Sequence, residues 1–341
     1  MSYKGISHHP ILISALIFIT LMTTGCGGRK EWRRDSGGVW NTVYNITYLS
    51  DLDMTDSINA IFRCVELSLS PFNDRSLISA INRGESCMTD TFIRKVFEIS
   101  AEVNSRSGGR FDPTVSPVVN LWKFGYTGKV EADSCWEPSS EAIDSTMNTI
   151  GISSCRILPD GTLIKKHPAT TFNFSAVTKG YACDLIAAML RRNGVTDAMI
   201  EIGGEMTVMG KNPHGERWRI QIDAPVDNAG IPEHKRLTVI QLTDSGIATS
   251  GNYRNYHLSS GGRVGHTIDP LTGRPAVSPI LSATVMAATC AEADAYATAA
   301  MASPDLRFAD SILSAAGIRA ILVTADSADA TRFIIHPVGI D

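Results

Sequence analysis

The spacing of apolar residues predicts both helices and strands along most of the chain. Residues 57–70 and 90–109 carry apolar side chains at intervals of three and four, which is typical of amphipathic helices. Residues 38–49 and 198–225 are rich in β-branched or alternating apolar residues, which predicts strands. Residues 156–166 form a predicted hairpin around an Asp-Gly turn. Strands adjoin in sequence with helices between them, so we expect a mixed α+β fold with largely antiparallel sheets and packed helices.

Two later helices carry signals at their ends. Residues 171–195 predict a short strand, a turn and a helix that Gly194 closes. Thr289 and Glu292 form a Thr-x-x-Glu capping box before an alanine-rich helix. On that helix Asp294 and Thr298 are four residues apart, so a carboxylate and a hydroxyl share one face. They are either a solvated pair on an ordinary helix or two oxygen donors suited to Mg²⁺.

Composition narrows the class of protein. The chain has 341 residues, of which 43% are hydrophobic and 19% charged, and its net charge is -4. These values suit one large globular domain or two smaller ones. The near-neutral balance and the lack of a Lys/Arg-rich block argue against a surface that binds nucleic acid.

The N-terminus has the pattern of an export signal. Lys4 precedes an apolar run over residues 11–22, which is too short to span a bilayer comfortably. Residues 23–26, Thr-Thr-Gly-Cys, resemble a bacterial lipobox, so we expect a signal peptide over 1–25, lipidation of Cys26 and a polar tether over 26–36. The alternative is a plain cleaved signal with a chance cysteine. The expected product is a cell-envelope lipoprotein that faces the periplasm.

The other cysteines show no metal-binding pattern. Six remain besides Cys26, widely spaced and without a CxxC motif. Export permits disulfides, and Cys135 with Cys155 is the one candidate pair. We interpret most of the others as small buried hydrophobic residues.

Glycine-rich clusters mark two candidate ligand contacts. Residues 108–113, Gly-Gly-Arg-Phe-Asp-Pro, let the backbone approach a ligand and offer Phe111 to stack on a flat ring, or simply end a helix in a turn. Residues 175–180 lie where a helix begins, and there Lys179 and the helix dipole favour an anion. Residues 202–205 are more typical of a structural turn than of a catalytic site.

A histidine completes the set of candidates. His266 lies at a strand end beside a turn, where a single histidine is more often structural than catalytic. Taken together, a stacking ring, an anion at a helix start and a Mg²⁺ site describe a nucleotide or dinucleotide site. No GxGxxG motif follows the first strand, which argues against a Rossmann cofactor.

These motifs, in this order, resemble the ApbE family of FAD:protein FMN transferases. The resemblance covers roughly residues 37–325, and the matching stretches are GGRFDPTVSPVVNLWKFG, SAVTKGYACD, IEIGGEMTVMGKNPHGERWRIQI, IATSGNYRNYHL, HTIDPLTGRP and AEADAYATA. It implies an ApbE-like, T-fold-related domain over 37–341 with an FAD site between two α+β lobes. It also implies transfer of FMN from FAD to a threonine hydroxyl of a partner protein, through a phosphoester bond, with release of AMP and a requirement for Mg²⁺.

The resemblance also assigns partners and site residues. Typical acceptors of the family are subunits of sodium-pumping NADH:quinone oxidoreductase and of Rnf, and FMN-binding domains. The metal ligands implied are the backbone carbonyl of Ala176 and the side chains of Asp294 and Thr298. The implied flavin and adenine contacts fall near Trp40, Phe72, Arg110, Phe111, Asp112, Asn173, Lys179 and Ile268. Three stretches depart from the family pattern, namely Trp40-Asn41-Thr42, Ser70-Pro71-Phe72 and Asn173.

A threonine hydroxyl needs a base, and His266 is the candidate because the ordinary pKa of histidine is close to neutral pH. Asp269 is the second candidate, although it would equally orient the histidine or cap a turn. Three other functions remain open from the sequence. They are a Mg²⁺-dependent FAD pyrophosphatase that yields FMN and AMP, a non-catalytic FAD-binding lipoprotein, and a structural envelope lipoprotein.

Overall fold

The computed structural model describes residues 29–125, 136–226, 235–252, 256–259, 262–329 and 332–340. Cys26, Cys135 and the expected signal peptide lie outside them. The strands of this part are β1 (Glu31–Val39), β2 (Thr42–Ser50), β3 (Arg156–Ile157), β4 (Leu163–Ile164), β5 (Ala198–Ile202), β6 (Glu205–Met209), β7 (Trp218–Asp223), β8 (Arg236–Leu242), β9 (Ser245–Gly251), β10 (Tyr256–Ser259), β11 (Gly262–Gly265), β12 (Ile268–Asp269), β13 (Arg274–Pro275), β14 (Ile280–Ala287), β15 (Arg319–Ala325) and β16 (Phe333–Val338). The α-helices are α1 (Thr55–Leu69), α2 (Leu77–Arg83), α3 (Thr91–Arg106), α4 (Ser116–Leu121), α5 (Ser140–Met147), α6 (Ser175–Arg192), α7 (Cys290–Met301) and α8 (Leu306–Ala315). Among the described residues, no helix has the length and apolar character needed to cross a membrane.

One eight-stranded sheet forms the centre of the fold, in the order β1-β2-β5-β6-β9-β14-β15-β16. Every neighbouring pair in it is antiparallel. Small two-stranded sheets form from β3–β4, β7–β8, β10–β11 and β12–β13. The α+β fold with largely antiparallel sheets is therefore confirmed.

The alternation of side chains along the strands divides the core into two layers. In β6, Met209 packs with the helices while Val208 packs against the β7–β8 hairpin on the other face. Helices α1, α3, α6 and α7 cover the first face, and their buried residues form one large cluster with the sheet. The hairpin covers the second face with Trp218 and Ile220. A smaller cluster joins α4, α5 and β12 through Trp122 and Ile268.

Helix α7 is enclosed on several sides, which explains its alanines. It contacts α3, α6, β9 and β14, and its alanines from 293 to 300 are fully buried. Two glycines allow this close approach. A Cβ at Gly180 of α6 would lie 2.8 Å from the Ala291 amide nitrogen, and a Cβ at Gly246 of β9 would lie 2.5 Å from Cys290 Cα. The alanines of α7 and the glycines of α6 and β9 thus allow α7 to pack closely against α6 and the sheet.

The first hairpin differs from the sequence-based expectation. Residues 38–49 were expected as one strand, but Trp40 and Asn41 form a two-residue turn with φ of 48° and 60° between β1 and β2. Positive φ at both central residues is the geometry of a type I′ hairpin turn. Strand β1 begins at Glu31, so residues 31–36 belong to the sheet rather than to a tether. Its polar composition, with two glycines, concealed this edge strand.

The segment before α6 also differs in detail. The expected strand over 171–174 is not formed, and α6 follows directly, with Gly194 in the left-handed region (φ 75°) after its end. After α3, the proline-containing segment 111–125 includes the short helix α4. The Cys135–Cys155 pair stays a prediction, because Cys135 lies outside the described residues; Cys155 itself is buried, and its sulfur accepts a hydrogen bond from the Lys166 amide at 3.3 Å.

Candidate functional site

Two adjoining cavities contain nearly all the predicted site residues. The His266 cavity has a volume of about 440 Å³ and is bounded by the segment after α3, the start of α6, β6, the end of β9, residues 266–270 and α7. The Trp40 cavity has a volume of about 630 Å³ and lies between the β1–β2 turn, the end of α1 and the start of α6. Ser175 and Lys179 line both cavities, so the two meet at the first turns of α6.

The predicted residues divide between these cavities. Trp40 and Phe72 line the Trp40 cavity. Lys179 lines both. The His266 cavity takes the remaining ones except Asp269, namely Arg110, Phe111, Asp112, Asn173, Ala176, His266, Ile268, Asp294 and Thr298. Residues more than 250 positions apart in sequence are therefore brought to one place.

Asp294 presents a buried carboxyl group to the His266 cavity. Its side chain comes from α7, its residue is 4% exposed, and its Oδ2 accepts a hydrogen bond from the Gly180 amide at 3.4 Å. Burial, followed by the negative charge of Glu205, raises the pKa of Asp294 to about 8. A cation beside this carboxyl group would favour its ionised form.

The backbone at Ala176 departs from helical geometry beside Asp294. Ala176 has φ of -84° and ψ of 17°, which kinks the first turn of α6. The amide of Gly180, which would bond the Ala176 carbonyl in a regular helix, points to Asp294. One turn along α7, Thr298 Oγ1 lies 3.5 Å from Ser250 Oγ. Ala176, Asp294 and Thr298 thus line one cavity. A backbone carbonyl, a carboxylate and a hydroxyl are oxygen donors of the kind that suits Mg²⁺.

Half-buried Lys179 and buried Glu205 form an ion pair where the cavities meet. Lys179 Nζ lies 2.5 Å from Glu205 Oε2, and Glu205 is 4% exposed. Burial alone lowers the pKa of Lys179, but the charges of Glu205 and then Asp294 outweigh it, so the lysine stays protonated. Burial raises the pKa of Glu205, and the lysine opposes that rise. The site therefore combines one ammonium group with two buried carboxyl groups.

The start of α6 offers fewer amides to an anion than the sequence suggested. The Ser175 amide donates to Asn173 Oδ1 at 2.9 Å. The amides of Val177 and Thr178 donate to the Phe174 carbonyl, each at 2.9 Å. Positive charge at this helix start therefore comes mainly from Lys179 and the helix dipole.

Arg110 and Asp269 are joined by an ion pair of 2.7 Å between Nη1 and Oδ2. The other oxygen of Asp269 accepts the Leu271 amide at 3.0 Å, so this carboxylate caps the β12–β13 turn. The Arg110 guanidinium also lies 5.3 Å from the centre of the Phe308 ring. Of the roles considered for Asp269, these contacts favour the turn cap, while its role as a base stays a prediction.

Asp112 and Phe111 are held mainly by contacts within the protein. Asp112 Oδ1 accepts from the amide and hydroxyl of Thr114 at 2.8 and 2.6 Å, and Oδ2 accepts from the Ile152 amide at 3.0 Å. Phe111 is 3% exposed and belongs to the main core cluster. These residues shape the cavity wall, and their contacts with a ligand stay predictions.

In the Trp40 cavity, aromatic rings lie at the rim. Trp40 packs edge-on against Phe62 with ring centres 5.5 Å apart. Phe72 is 64% exposed. An exposed ring beside a cavity is a suitable surface for stacking a flat aromatic ligand.

Comparison with known proteins decides the family. The model of the ApbE family matches residues 40–322, which is most of the chain. The chain belongs to the ApbE family. It is 33% identical over 291 residues to the FAD:protein FMN transferase of Vibrio cholerae, covering 82% of this chain and 84% of that protein. It is 32% identical over 255 residues to the protein of the same name from Escherichia coli, covering 74% and 68%.

Solved ApbE structures share the fold. The flavin transferase ApbE from Vibrio cholerae superposes with a TM-score of 0.78 at 29% identity, covering 90% of this chain and 97% of that one. The apo flavinyl transferase ApbE from Pseudomonas stutzeri gives a TM-score of 0.78 at 26% identity, covering 92% and 98%.

Two buried acids were missed from sequence, namely Glu205, which lines the His266 cavity, and Asp184, which holds the start of α7. Glu205 was interpreted as part of a structural turn, and Asp184 on α6 was not singled out. Asp184 Oδ1 and Oδ2 accept the first two amides of α7, from Cys290 and Ala291, each at 2.9 Å. Burial raises the pKa of Asp184 to about 6. The sequence did contain a signal for both acids, because each is a charged residue at a position on the apolar face of its strand or helix.

No cluster of three or more His, Cys, Asp or Glu side chains able to hold a metal occurs in the ranges that the structure describes. The expected donors agree with this, because the set of Ala176, Asp294 and Thr298 contains one carboxylate. The remaining ligands would then come from water and a bound phosphate, as is usual for Mg²⁺.

Proposed function

We propose that this chain transfers FMN from FAD to a threonine hydroxyl of a partner protein and releases AMP. The observation that carries the proposal is the pair of cavities joined at Lys179. FAD has two flat ring systems linked by a pyrophosphate, so each cavity would take one ring system while the pyrophosphate lies beside the ammonium group. Membership of a family whose relatives are named FAD:protein FMN transferase supports the same activity.

In the proposed reaction, the threonine oxygen bonds to the phosphorus of the FMN half. The bond from that phosphorus to the bridging oxygen breaks, and AMP leaves with the electron pair. His266 lines the cavity and would accept the hydroxyl proton, while Lys179 lies where negative charge of the pyrophosphate would collect. Positioning and electrostatics supply most of the rate enhancement in phosphoryl transfer.

We propose Mg²⁺ as the cofactor, held by the carbonyl of Ala176 and the side chains of Asp294 and Thr298. When bound, it would neutralise charge on the pyrophosphate and orient the bond that breaks. The position of Asp294 supports this, because its carboxyl group is buried and lines the same cavity as Ala176 and Thr298.

We also propose a location and a class of partner. The sequence features at Cys26 support an exported, lipid-anchored protein that faces the periplasm. The acceptor would be an envelope redox protein, such as a subunit of sodium-pumping NADH:quinone oxidoreductase or Rnf, or an FMN-binding domain. Intact-mass analysis of the protein from cell membranes, with Cys26→Ala as the control, tests lipidation.

The activity is tested with purified protein, FAD, Mg²⁺ and an FMN-binding-domain acceptor. We expect the acceptor mass to rise by one FMN as AMP appears, and we expect Asp294→Ala to lose both signals. AMP and free FMN with an unmodified acceptor would instead indicate either a pyrophosphatase or an unsuitable acceptor. Repeating the assay with a second acceptor protein distinguishes these two explanations. Bound FAD without AMP would indicate a non-catalytic flavin carrier and overturn the proposal.

A further inference from the structure

Three ionisable side chains line the His266 cavity close to one another in the fold, and they share one positive charge. Lys179, Glu205 and Asp294 all line this cavity. Glu205 and Asp294 are each 4% exposed, so water screens neither carboxyl group well. With both acids ionised, the group has one excess negative charge. Only one of the two carboxylates can pair with the Lys179 ammonium group. The other carboxylate then remains available to a cation.

The ion pair in the structure is with Glu205, at 2.5 Å. The fold fixes this choice, because Glu205 begins β6 immediately after the Gly203-Gly204 turn. Its side chain faces the helix layer, as do those of Thr207 and Met209 at the following alternate positions. Lys179 lies one turn into α6, directly over this face.

We infer that Glu205 is a positioning residue that keeps the Lys179 ammonium group at the junction of the two cavities and away from Asp294. An ammonium group has three N–H donors, so pairing with Glu205 leaves others for the pyrophosphate of the proposed substrate. If Glu205 is removed, Asp294 is the carboxylate left in the cavity floor. A Lys179–Asp294 ion pair would then occupy the oxygen that a cation needs. This inference rests on the proposed function, because it concerns the same site.

The test measures cation binding to the purified protein with neither FAD nor acceptor present. Mn²⁺ serves as the probe, followed by electron paramagnetic resonance, and Mg²⁺ competes for the same site. We expect Glu205→Gln to raise the Kd for Mn²⁺ at least tenfold, as charge-assisted contacts in buried sites commonly contribute that much. Glu201→Gln is the matched control, since Glu201 lies on the same hairpin and bonds Asn45 and the Gly204 amide without lining either cavity.

A double-mutant cycle with Lys179→Met shows whether Glu205 acts through the lysine. Without the ammonium group, the buried Glu205 carboxyl would take up a proton and resemble glutamine. We therefore expect Glu205→Gln to change the Kd less than about twofold in the Lys179→Met background. An equally large effect in that background would mean that Glu205 acts directly on the cation, and would overturn the inference.

Binding of FAD gives a second measurement. We expect Glu205→Gln to raise the KM for FAD more than it lowers kcat, because the displaced lysine loses its contact with the pyrophosphate. Glu205→Asp, which keeps the charge on a shorter side chain, should restore part of the cation affinity and covers the case in which Glu205→Gln does not fold. Unchanged Mn²⁺ affinity in folded Glu205→Gln would overturn the inference. Since Mn²⁺ binding needs no flavin transfer, failure of the proposed function would be seen separately in the acceptor assay.

Discussion

At the residue scale, His266 and Asp269 have different surroundings although they are three residues apart. Asp269 binds Arg110 through one oxygen and the Leu271 amide through the other. His266, unlike Asp269, is among the residues that line the cavity. We expect His266→Ala to lower the rate of FMN transfer by about 10²- to 10⁴-fold, the usual contribution of a general base. The Kd for FAD, measured by quenching of flavin fluorescence, should change little.

Asp269→Asn is the comparison for that experiment. It would weaken the ion pair with Arg110, so we expect a higher Kd for FAD and a smaller loss of kcat. Transfer at the normal rate in His266→Ala would remove His266 from the mechanism. A loss confined to Asp269→Asn would make Asp269 the base instead.

At the scale of elements, close contact between α6 and α7 determines where Asp294 lies. Gly180 of α6 has no side chain, and its amide donates to Asp294. A Cβ there would meet the backbone between Cys290 and Ala291, which cannot rotate away. We expect Gly180→Ala to lower the free energy of unfolding by about 3 kcal/mol, as overpacking commonly does, and to weaken cation binding.

Urea unfolding of Gly180→Ala and of Gly38→Ala checks this prediction. Gly38 is the matched control, because a Cβ there would meet only the Thr42 carbonyl oxygen at 3.8 Å. Equal stability of the two variants would mean that α6 and α7 can separate without cost. The position of Asp294 would then need another explanation.

The same elements show what could be predicted from the sequence. Periodicity and capping signals are local, so α1, α3 and α7 were predicted near their observed ends, and Thr289 does accept the Glu292 amide. The pairing of Asp294 with Thr298 followed from helix geometry. Only the family resemblance indicated which residues lie near Asp294 and Thr298. No local sequence pattern relates Arg110 or His266 to α7.

The missed features depend on contacts between distant segments. Glu205 follows a Gly-Gly turn, and only the sheet register shows that its side chain faces Lys179 of α6. Asp184 looks like an ordinary polar residue of a helix until α7 begins against it. The hairpin turn at Trp40-Asn41 lacks the usual glycine, so its positive φ values gave no sequence signal.

At the scale of the whole molecule, burial of several acids makes stability depend on pH in an unusual direction. Asp184, Glu205 and Asp294 all have raised pKa values, mainly because of burial. A folded-state pKa above the unfolded value means that the folded protein binds protons more tightly. Stability from such a group is present at low pH and is lost as pH rises through the folded pKa.

For Asp184 this pH window lies between the ordinary aspartate pKa of 3.8 and the folded-state pKa of about 6. A pKa difference of about 2 corresponds to about 3 kcal/mol of stability lost across that window. For Asp294 the loss continues to about pH 8. Exposed carboxyl groups with lowered pKa values, such as Asp53 and Asp160, are already ionised above pH 5 and do not offset it. The metal-free protein should therefore become less stable as pH rises from 5 to 8.

Urea unfolding at pH 5, 6.5 and 8 in a metal chelator measures this loss of stability. Asp184→Asn should flatten the change between pH 5 and 6.5, because asparagine cannot ionise, and it should leave the change between pH 6.5 and 8. Adding Mg²⁺ at pH 8 should restore stability if the cation binds ionised Asp294, since a ligand that binds only the folded state stabilises it. The prediction is wrong if the free energy of unfolding of the metal-free protein stays constant or rises from pH 5 to 8. Ionisation of these buried carboxyl groups would then not destabilise the folded protein.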